Sequence, residues 1–322
     1  MKKYSRFLFL LTILSLLAFP LTACGGTKGE QTSGELEGNI AVSGAWALYP
    51  MMTRWAEEFQ KAYPKVQLDV SAGGAGKGMA DALAGAVDIG MVSRDINPEE
   101  EAKGAYWVAV VKDAVFPSIN ANNPVIEDLM KKGVTRQQLI DIYITGNIKT
   151  WGEVVGRPEV TDEIHVYTRS DACGAAEVWA KYMDKKQEDL LGIAVFGDPG
   201  LSDAVVKDPL GIGFNNLGYA FDLKSNKPVS GSAAAPLDSN ENGQADPDEI
   251  LDSMTKAMEM VANGKYPSPP ARALNLVTLN KPTGLAQAFL KWILTDGQQF
   301  VGEAGYVKLP QDQLDAGLKK IE

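Results

Sequence analysis

The sequence predicts an α/β protein of two doubly wound α/β lobes joined by a double hinge, and three observations point there. Past the leader, short β-like and helical runs alternate with tight connections, the pattern of a parallel sheet wound by helices. Four strand-to-helix loops stand at equivalent strand ends, three of them rich in small residues and two opening on an arginine. The body, ~285 residues long, exceeds what a single core usually serves.

The chain of 322 residues opens with Lys2, Lys3 and Arg6, then an apolar run from Phe7 to Phe19. A membrane span needs ~20 apolar residues, so this run of ~13 is too short. A positive start, a short apolar centre and small residues before a cysteine mark residues 1–23 as an export signal. Leu21-Thr22-Ala23-Cys24 resembles a bacterial lipobox, which implies cleavage before Cys24 and lipidation of its thiol. Residues 24–38 are rich in Gly, Thr, Ser, Glu and Gln and read as a flexible tether. The expected location is therefore outside the cytoplasm, held to a membrane by lipid.

Asn39 to Ser43 is short and β-like. Met52, Trp55, Phe59 and Ala62 fall at helical spacing, Pro50 fits the first turn, and Tyr63-Pro64 stops the helix. Val66, Leu68 and Val70 alternate as in a strand. A second helix is expected from about Met79 to Ala86, and the run Val87 to Arg94 is a third strand. A second lobe then reads as a helix at 135–143, a strand from Ile164 to Thr168, a helix at 174–183 and a buried turn or strand at Gly211 to Asn216. Leu285 to Leu294 is amphipathic. The chain crosses between lobes near Phe116–Asn122 and Tyr266–Ala273, dividing it into lobe 1 (39–117 and 271–322) and lobe 2 (118–270).

Composition excludes several functions. The net charge of −10 argues against nucleic acid. It says little about a small anion, which is governed by local groups. The only cysteines are Cys24 and Cys173, so lipidation of the first leaves no disulfide framework. One histidine, His165, excludes a multi-histidine metal site and reads as a structural strand residue.

In open α/β sheets ligands bind beyond the carboxyl ends of the strands. The loops there are SGAWALYP (43–50), SAGGAGKG (71–78), SRDINPEE (93–100) and RSDACGAA (169–176). Small residues let backbone N–H groups approach a guest, and helix N-termini favour negative charge. Arg94 and Arg169 each begin a loop and can form charge-assisted bonds worth ~1.5–3 kcal/mol. Together these features predict a site for a small anion.

Over most of the mature chain these segments, with GIGFNN (211–216), resemble the phosphate-binding family of ABC-transporter solute receptors, the class II periplasmic binding proteins. The resemblance implies a phosphate site built from Ala45, Trp46, Gly74, Ala75, Gly76, Ser93, Arg94, Arg169, Asp171, Cys173, Gly174 and Ala175. It also implies closure of the lobes on the ligand and recognition by a membrane permease. Where that family places hydroxyls this chain has Ala45, Ala75, Cys173 and Ala175, and Arg94 stands near a place where some relatives carry an aspartate. Other oxyanions (sulfate, molybdate, tungstate) are an alternative, as is an exported signalling or adhesion module on the same fold. Asp171 serves either as proton acceptor from the ligand or as the carboxylate that orients Arg169.

Cys173 as a nucleophile would need a nearby base. His165, eight residues upstream along a strand, lies ~20 Å or more away by strand rise. A thiol at a helix N-terminus is expected to have a depressed pKa and to be reactive, but not catalytic. No enzymatic activity and no catalytic cofactor are expected.

Residues 238–249, DSNENGQADPDE, fit the spacing of a calcium loop. Asp238, Asn240, Asn242, Gln244 (through its carbonyl), Asp246 and Glu249 are the candidate ligands, and Gly243 permits the turn. Its expected role is a structural Ca2+ in the second lobe.

Overall fold

The computed structural model describes residues 36–322. The export signal, Cys24 and the tether up to residue 35 lie outside the described residues.

The first half of the fold is β1 (Gly38–Gly44), α1 (Tyr49–Ala62), β2 (Val66–Ala72), α2 (Ala75–Leu83) and β3 (Ile89–Val92). β1 pairs in parallel with β2 on one side and β3 on the other. The inward face of α1 buries Met51, Met52, Trp55, Ala56 and Phe59, and Pro50 occupies its first turn. Fully burying a side chain of the Phe class contributes ~1.5–3 kcal/mol, so this face fixes the helix against the sheet. α2 begins at Ala75, four residues before the expected Met79. Gly76 and Gly78 hid that first turn, because glycine disfavours helix by ~1 kcal/mol relative to alanine. Close packing outweighs propensity there: Gly78 lies directly against Gly44 and the Met91 carbonyl.

β4 (Ala105–Asn120) is the long element of the sheet, at 16 residues. After it come α3 (Arg136–Tyr143), β5 (His165–Arg169), α4 (Gly174–Tyr182), β6 (Ile193–Val195), α5 (Gly197–Lys207), β7 (Gly211–Asn216), β8 (Ser232–Ala234), α6 (Met254–Ala262), β9 (Ala271–Leu279), α7 (Gly284–Leu294) and α8 (Gln311–Ile321). The strands form one nine-stranded sheet in the order β2-β1-β3-β9-β4-β7-β5-β6, with β8 added on β4. Parallel triplets stand at both ends, β2-β1-β3 and β7-β5-β6, and the antiparallel pair β9 and β4 joins them.

Two buried apolar clusters lie along this curled sheet. One gathers Val42, Trp55, Phe59, Met91, Val110, Val111, Leu274, Phe289 and Ile293. The other gathers Ala114, Phe116, Leu139, Trp179, Phe214, Met260 and Ala271. The crossings therefore fall at Lys112–Asp113 on β4 and Arg272–Ala273 on β9. Phe116 already belongs to the second cluster, so the first crossing lies a few residues before the expected 116–122. Both crossings are continuous strand rather than loop, which is why periodicity did not mark them. Among the described residues no helix is long and apolar enough to cross a membrane.

The glycine contact under the first loop is a direct test of this packing. A Cβ on Gly78 would sit 2.5 Å from the Met91 carbonyl oxygen and 2.8 Å from the Gly44 Cα, both backbone atoms that cannot rotate away. Gly78→Ala is expected to destabilise the chain by ~1–3 kcal/mol, read as a lowered urea midpoint with unchanged slope.

Candidate functional site

The loops after β1, β2, β3, β5 and β6 meet at one junction between the two apolar clusters. The N–H groups of Gly73 and Gly74 donate to the Gly44 carbonyl at 2.9 and 3.0 Å, tying the first two loops. The Ala45 N–H donates to the Met91 carbonyl at 2.9 Å, tying the first to β3. Across the junction the Gly76 N–H donates to the Ala172 carbonyl at 3.0 Å. A Cβ on Gly174 would lie 2.3 Å from the Ser93 carbonyl oxygen and 2.4 Å from its Oγ. One on Gly74 would lie 2.9 Å from Asp171 Oδ2. Glycine is required at these places because two backbones touch there.

The structure thus gathers the loops that carry the expected site residues, but not in the expected roles throughout. Several amides are already used: Ala45, Gly74 and Gly76 as above, and the Cys173 N–H on Gln187 Oε1 at 3.1 Å. Trp46, Ala75, Gly174 and Ala175 differ, because each stands in the first turn of a helical segment. First-turn N–H groups have no intrahelical acceptor and are the donors available to a guest. The Trp46 indole lies edge-on to Phe196 with ring centroids 5.9 Å apart, over Gly197, and its carbonyl accepts from Tyr219 Oη at 3.4 Å. It therefore bridges the two sides of the junction.

Arg169 is 4% exposed. Its Nε and Nη2 donate to the two carboxylate oxygens of Asp171 at 2.8 and 2.6 Å, and Nη1 donates to Asp198 Oδ2 at 2.7 Å. Burial alone would depress its pKa; the carboxylates of Asp198 and Asp171 outweigh that and hold it above the ordinary value. Asp171 also accepts from the Gly197 N–H at 3.1 Å. Its place is thus that of the carboxylate that orients Arg169.

Arg94 requires a correction. Its guanidinium is paired with Glu100, at 2.8 and 2.6 Å, with the Asp95 carbonyl at 2.8 Å and with Glu177, in the first turn of α4, at 3.0 Å. The hydrogen bonds to Glu100 raise its pKa, and Glu177 on α4 adds to this. Glu100 and Glu177 thus occupy the guanidinium that the loop position alone left open.

Four residues of the junction were missed: Asp113, Asp198, Asn216 and Arg272, all at most 9% exposed. Asp198 stands in the first turn of α5, at a fifth strand-to-helix junction, hidden because β6 is only three residues long and Phe196 alone separates the two. Arg272 and Asp113 lie on the crossing strands. Two guanidinium groups and three carboxylates are therefore buried together. Desolvation raises the pKa of Asp113 from 3.8 to about 6, against the opposing charge of Arg272.

The Cys173 expectation is also corrected. Its thiol is 5% exposed and its Sγ accepts from the Ala176 N–H at 3.4 Å. Burial pushes its pKa from 9.0 up to about 12, with only partial compensation by Arg169. His165 opens β5, and its Nδ1 lies 2.7 Å from Asp208 Oδ2.

Residues 238–249 form a self-bonded loop. Asp238, 1% exposed, accepts from the N–H groups of Asn242 and Gly243 at 3.1 and 2.9 Å. Glu249 accepts from Ser239 and Asp246 at 2.7 and 3.0 Å, and the Asn240 and Asn242 amides donate to Asp246 at 2.7 and 3.2 Å. Gln244 donates its N–H to Asn242 Oδ1 at 2.8 Å. Among the described residues no group of three His, Cys, Asp or Glu gathers as a metal-ligating cluster.

A bent α/β sheet with loops meeting between two cores is the setting in which the comparisons with known proteins have meaning. A family model described as a PBP superfamily domain matches residues 29–297. The chain belongs to the PBP superfamily. Within it, the chain is 26% identical over 93% of its length to the phosphate-binding protein PstS of Bacillus subtilis, covering 93% of that protein. It is 26% identical to the protein of the same name from Methanocaldococcus jannaschii, over 92% of this chain and 90% of the relative. A Clostridium perfringens structure, described as a phosphate ABC transporter substrate-binding protein with bound phosphate, aligns with a TM-score of 0.69 at 25% identity, over 85% of this chain and 100% of that one. An ABC-type phosphate transport receptor from Vibrio cholerae shares the fold, with a TM-score of 0.61 at 20% identity over 84% and 100%.

Two outcomes follow from this PBP-superfamily junction. A thiol with a pKa near 12 is protonated at pH 8, so a disulfide reagent should leave Cys173 unlabelled in the folded protein and label it promptly in urea. Asp113 holds its proton more tightly folded than unfolded, so its contribution to stability falls as pH rises from 3.8 to about 6. The stability of Asp113→Asn relative to the parent should therefore rise across that window, measured by urea unfolding at each pH.

Proposed function

We propose that the chain is an extracytoplasmic solute receptor of an ABC transporter, anchored by lipid at Cys24, that binds phosphate at the loop junction. The observation that carries this reading is the junction itself. The first turns of two helices, α2 from Ala75 and α4 from Gly174 and Ala175, are brought together by the Gly76 N–H to Ala172 carbonyl bond, beside a buried guanidinium held in one orientation by Asp171 and Asp198. Helix N-termini with an oriented guanidinium are a chemistry for a small oxyanion. The names of the relatives support phosphate among the oxyanions. So does the carboxylate surplus at the junction, which disfavours a permanently ionised dianion such as sulfate and tolerates an anion that carries a proton.

On this reading the two apolar clusters belong to two lobes, 39–113 with 272–322 and 114–271, drawn at the observed crossings. Phosphate bridges them and favours the closed arrangement, which the permease then engages. The chain binds and delivers; it does not catalyse. Residues 238–249 carry a structural Ca2+ on the same reading, supported by the ligand spacing and by a buried first aspartate.

Phosphate should raise the melting temperature of the soluble body with the logarithm of its concentration above Kd, since 100 times Kd adds ~2.7 kcal/mol. In competition across pH 5 to 9, sulfate should displace it poorly at every pH. No shift with any oxyanion would refute the receptor reading. Ca2+ against a chelator should give an independent, additive shift that Glu249→Gln abolishes.

A further inference from the structure

The receptor reading leaves open how a grip at the loops reaches the strands on which the lobes turn. Resting on that reading, we propose that Asp198 and Asn216 are positioning residues that couple Arg169 to the hinge strands through one buried hydrogen-bonded relay.

The relay is unbroken. Arg169 Nη1 donates to Asp198 Oδ2 at 2.7 Å, and Asn216 Nδ2 donates to Asp198 Oδ1 at 2.5 Å. Arg272 Nη2 donates to Asn216 Oδ1, and its Nη1 donates to Asp113 Oδ2 at 3.2 Å. Exposure along the chain is 4%, 1%, 2%, 9% and 1% from Arg169 to Asp113, so water does not substitute for any member. The ends matter most. Arg169 lies at the proposed ligand. Arg272 and Asp113 lie at the two crossings, on β9 and β4, where one apolar cluster gives way to the other.

Arg272 is the branch point. Besides Asn216 and Asp113, its Nε donates to the Ser93 carbonyl at 3.1 Å. Three nitrogens thus hold three segments: the loop after β3, the end of β7 and the hinge strand β4. Asp113 in turn accepts from the Leu217 N–H at 3.1 Å. Asn216 uses its amide nitrogen on one side and its oxygen on the other, so it cannot turn without losing both bonds. Separating the lobes would strip Arg272 of Ser93 or of Asn216 and leave buried charge without a partner, a costly state unless water enters. Closure at the loops and alignment of the hinge strands are therefore one cooperative event. Neither Asp198 nor Asn216 needs to touch the ligand for this.

The test is phosphate binding to the full soluble body of Asn216→Ala, followed by intrinsic tryptophan fluorescence in stopped flow. The expected result is dissociation faster by about tenfold, with the association rate within about twofold of the parent. Small-angle scattering at saturating phosphate should show a less compact particle than the parent. Asn216→Ser, which keeps a polar group but cannot span both neighbours, should behave in the same way and serves if the alanine variant does not fold. An unchanged dissociation rate in a variant that binds phosphate would overturn the relay, and so would a lowered melting temperature without any kinetic change. Failure of the parent itself to bind phosphate would instead refute the receptor reading.

Discussion

A buried guanidinium between two carboxylates organises this molecule. Placing Arg169 at 4% exposure would be prohibitive for an unpaired charge, and the bonds from Asp171 and Asp198 make it tolerable. Those partners come from different segments, Asp171 after β5 and Asp198 in the first turn of α5, so satisfying the charge also fixes where the two segments stand. The same constraint then spreads outward. Asp198 needs a second donor and finds Asn216; Asn216 needs a donor for its oxygen and finds Arg272. The polar centre of the fold is a consequence of satisfying each buried group in turn.

Small residues do the complementary work. Gly44, Gly74, Gly78 and Gly174 each stand where another backbone atom occupies the space of a Cβ. They allow loops from both apolar clusters to approach until backbone meets backbone, as where the Gly76 N–H donates to the Ala172 carbonyl. The hydroxyls that the resemblance led one to expect are replaced by Ala45, Ala75, Cys173 and Ala175. In this chain the donors left for a guest are therefore backbone N–H groups, the Ser93 hydroxyl and the spare positions of Arg169. Backbone donors are fixed by the helices that carry them, so the site is preorganised by the fold more than by side-chain rotamers.

Much of this was legible in the sequence, for physical reasons that can be named. α1, α4 and α7 announce themselves by apolar spacing, and β2 by alternation. The loops at strand ends were readable because glycine and alanine runs have few other uses in that setting. What escaped notice was long-range. Nothing local marks β4 as a strand that passes from one core into another, and Lys112 and Asp113 look like an ordinary exposed pair. Arg94 was misread in part because one partner cannot be seen from its own segment: Glu100 stands in the same loop, but Glu177 lies 83 positions away by number and arrives only through folding. Cys173 was misread in the same way: a helix N-terminus lowers a thiol's pKa, but burial, which the sequence does not state, outweighs it here.

The central claim is that the loops meeting around Arg169 are the binding site. A crystal structure of the soluble body grown with phosphate tests it most directly. The account predicts a tetrahedral anion bounded by the N–H groups of Ala75, Gly174 and Ala175 and by the Arg169 guanidinium, with Arg94 still on Glu100 and Glu177. An anion bound elsewhere, or Arg169 swung away from Asp171 and Asp198, would contradict it.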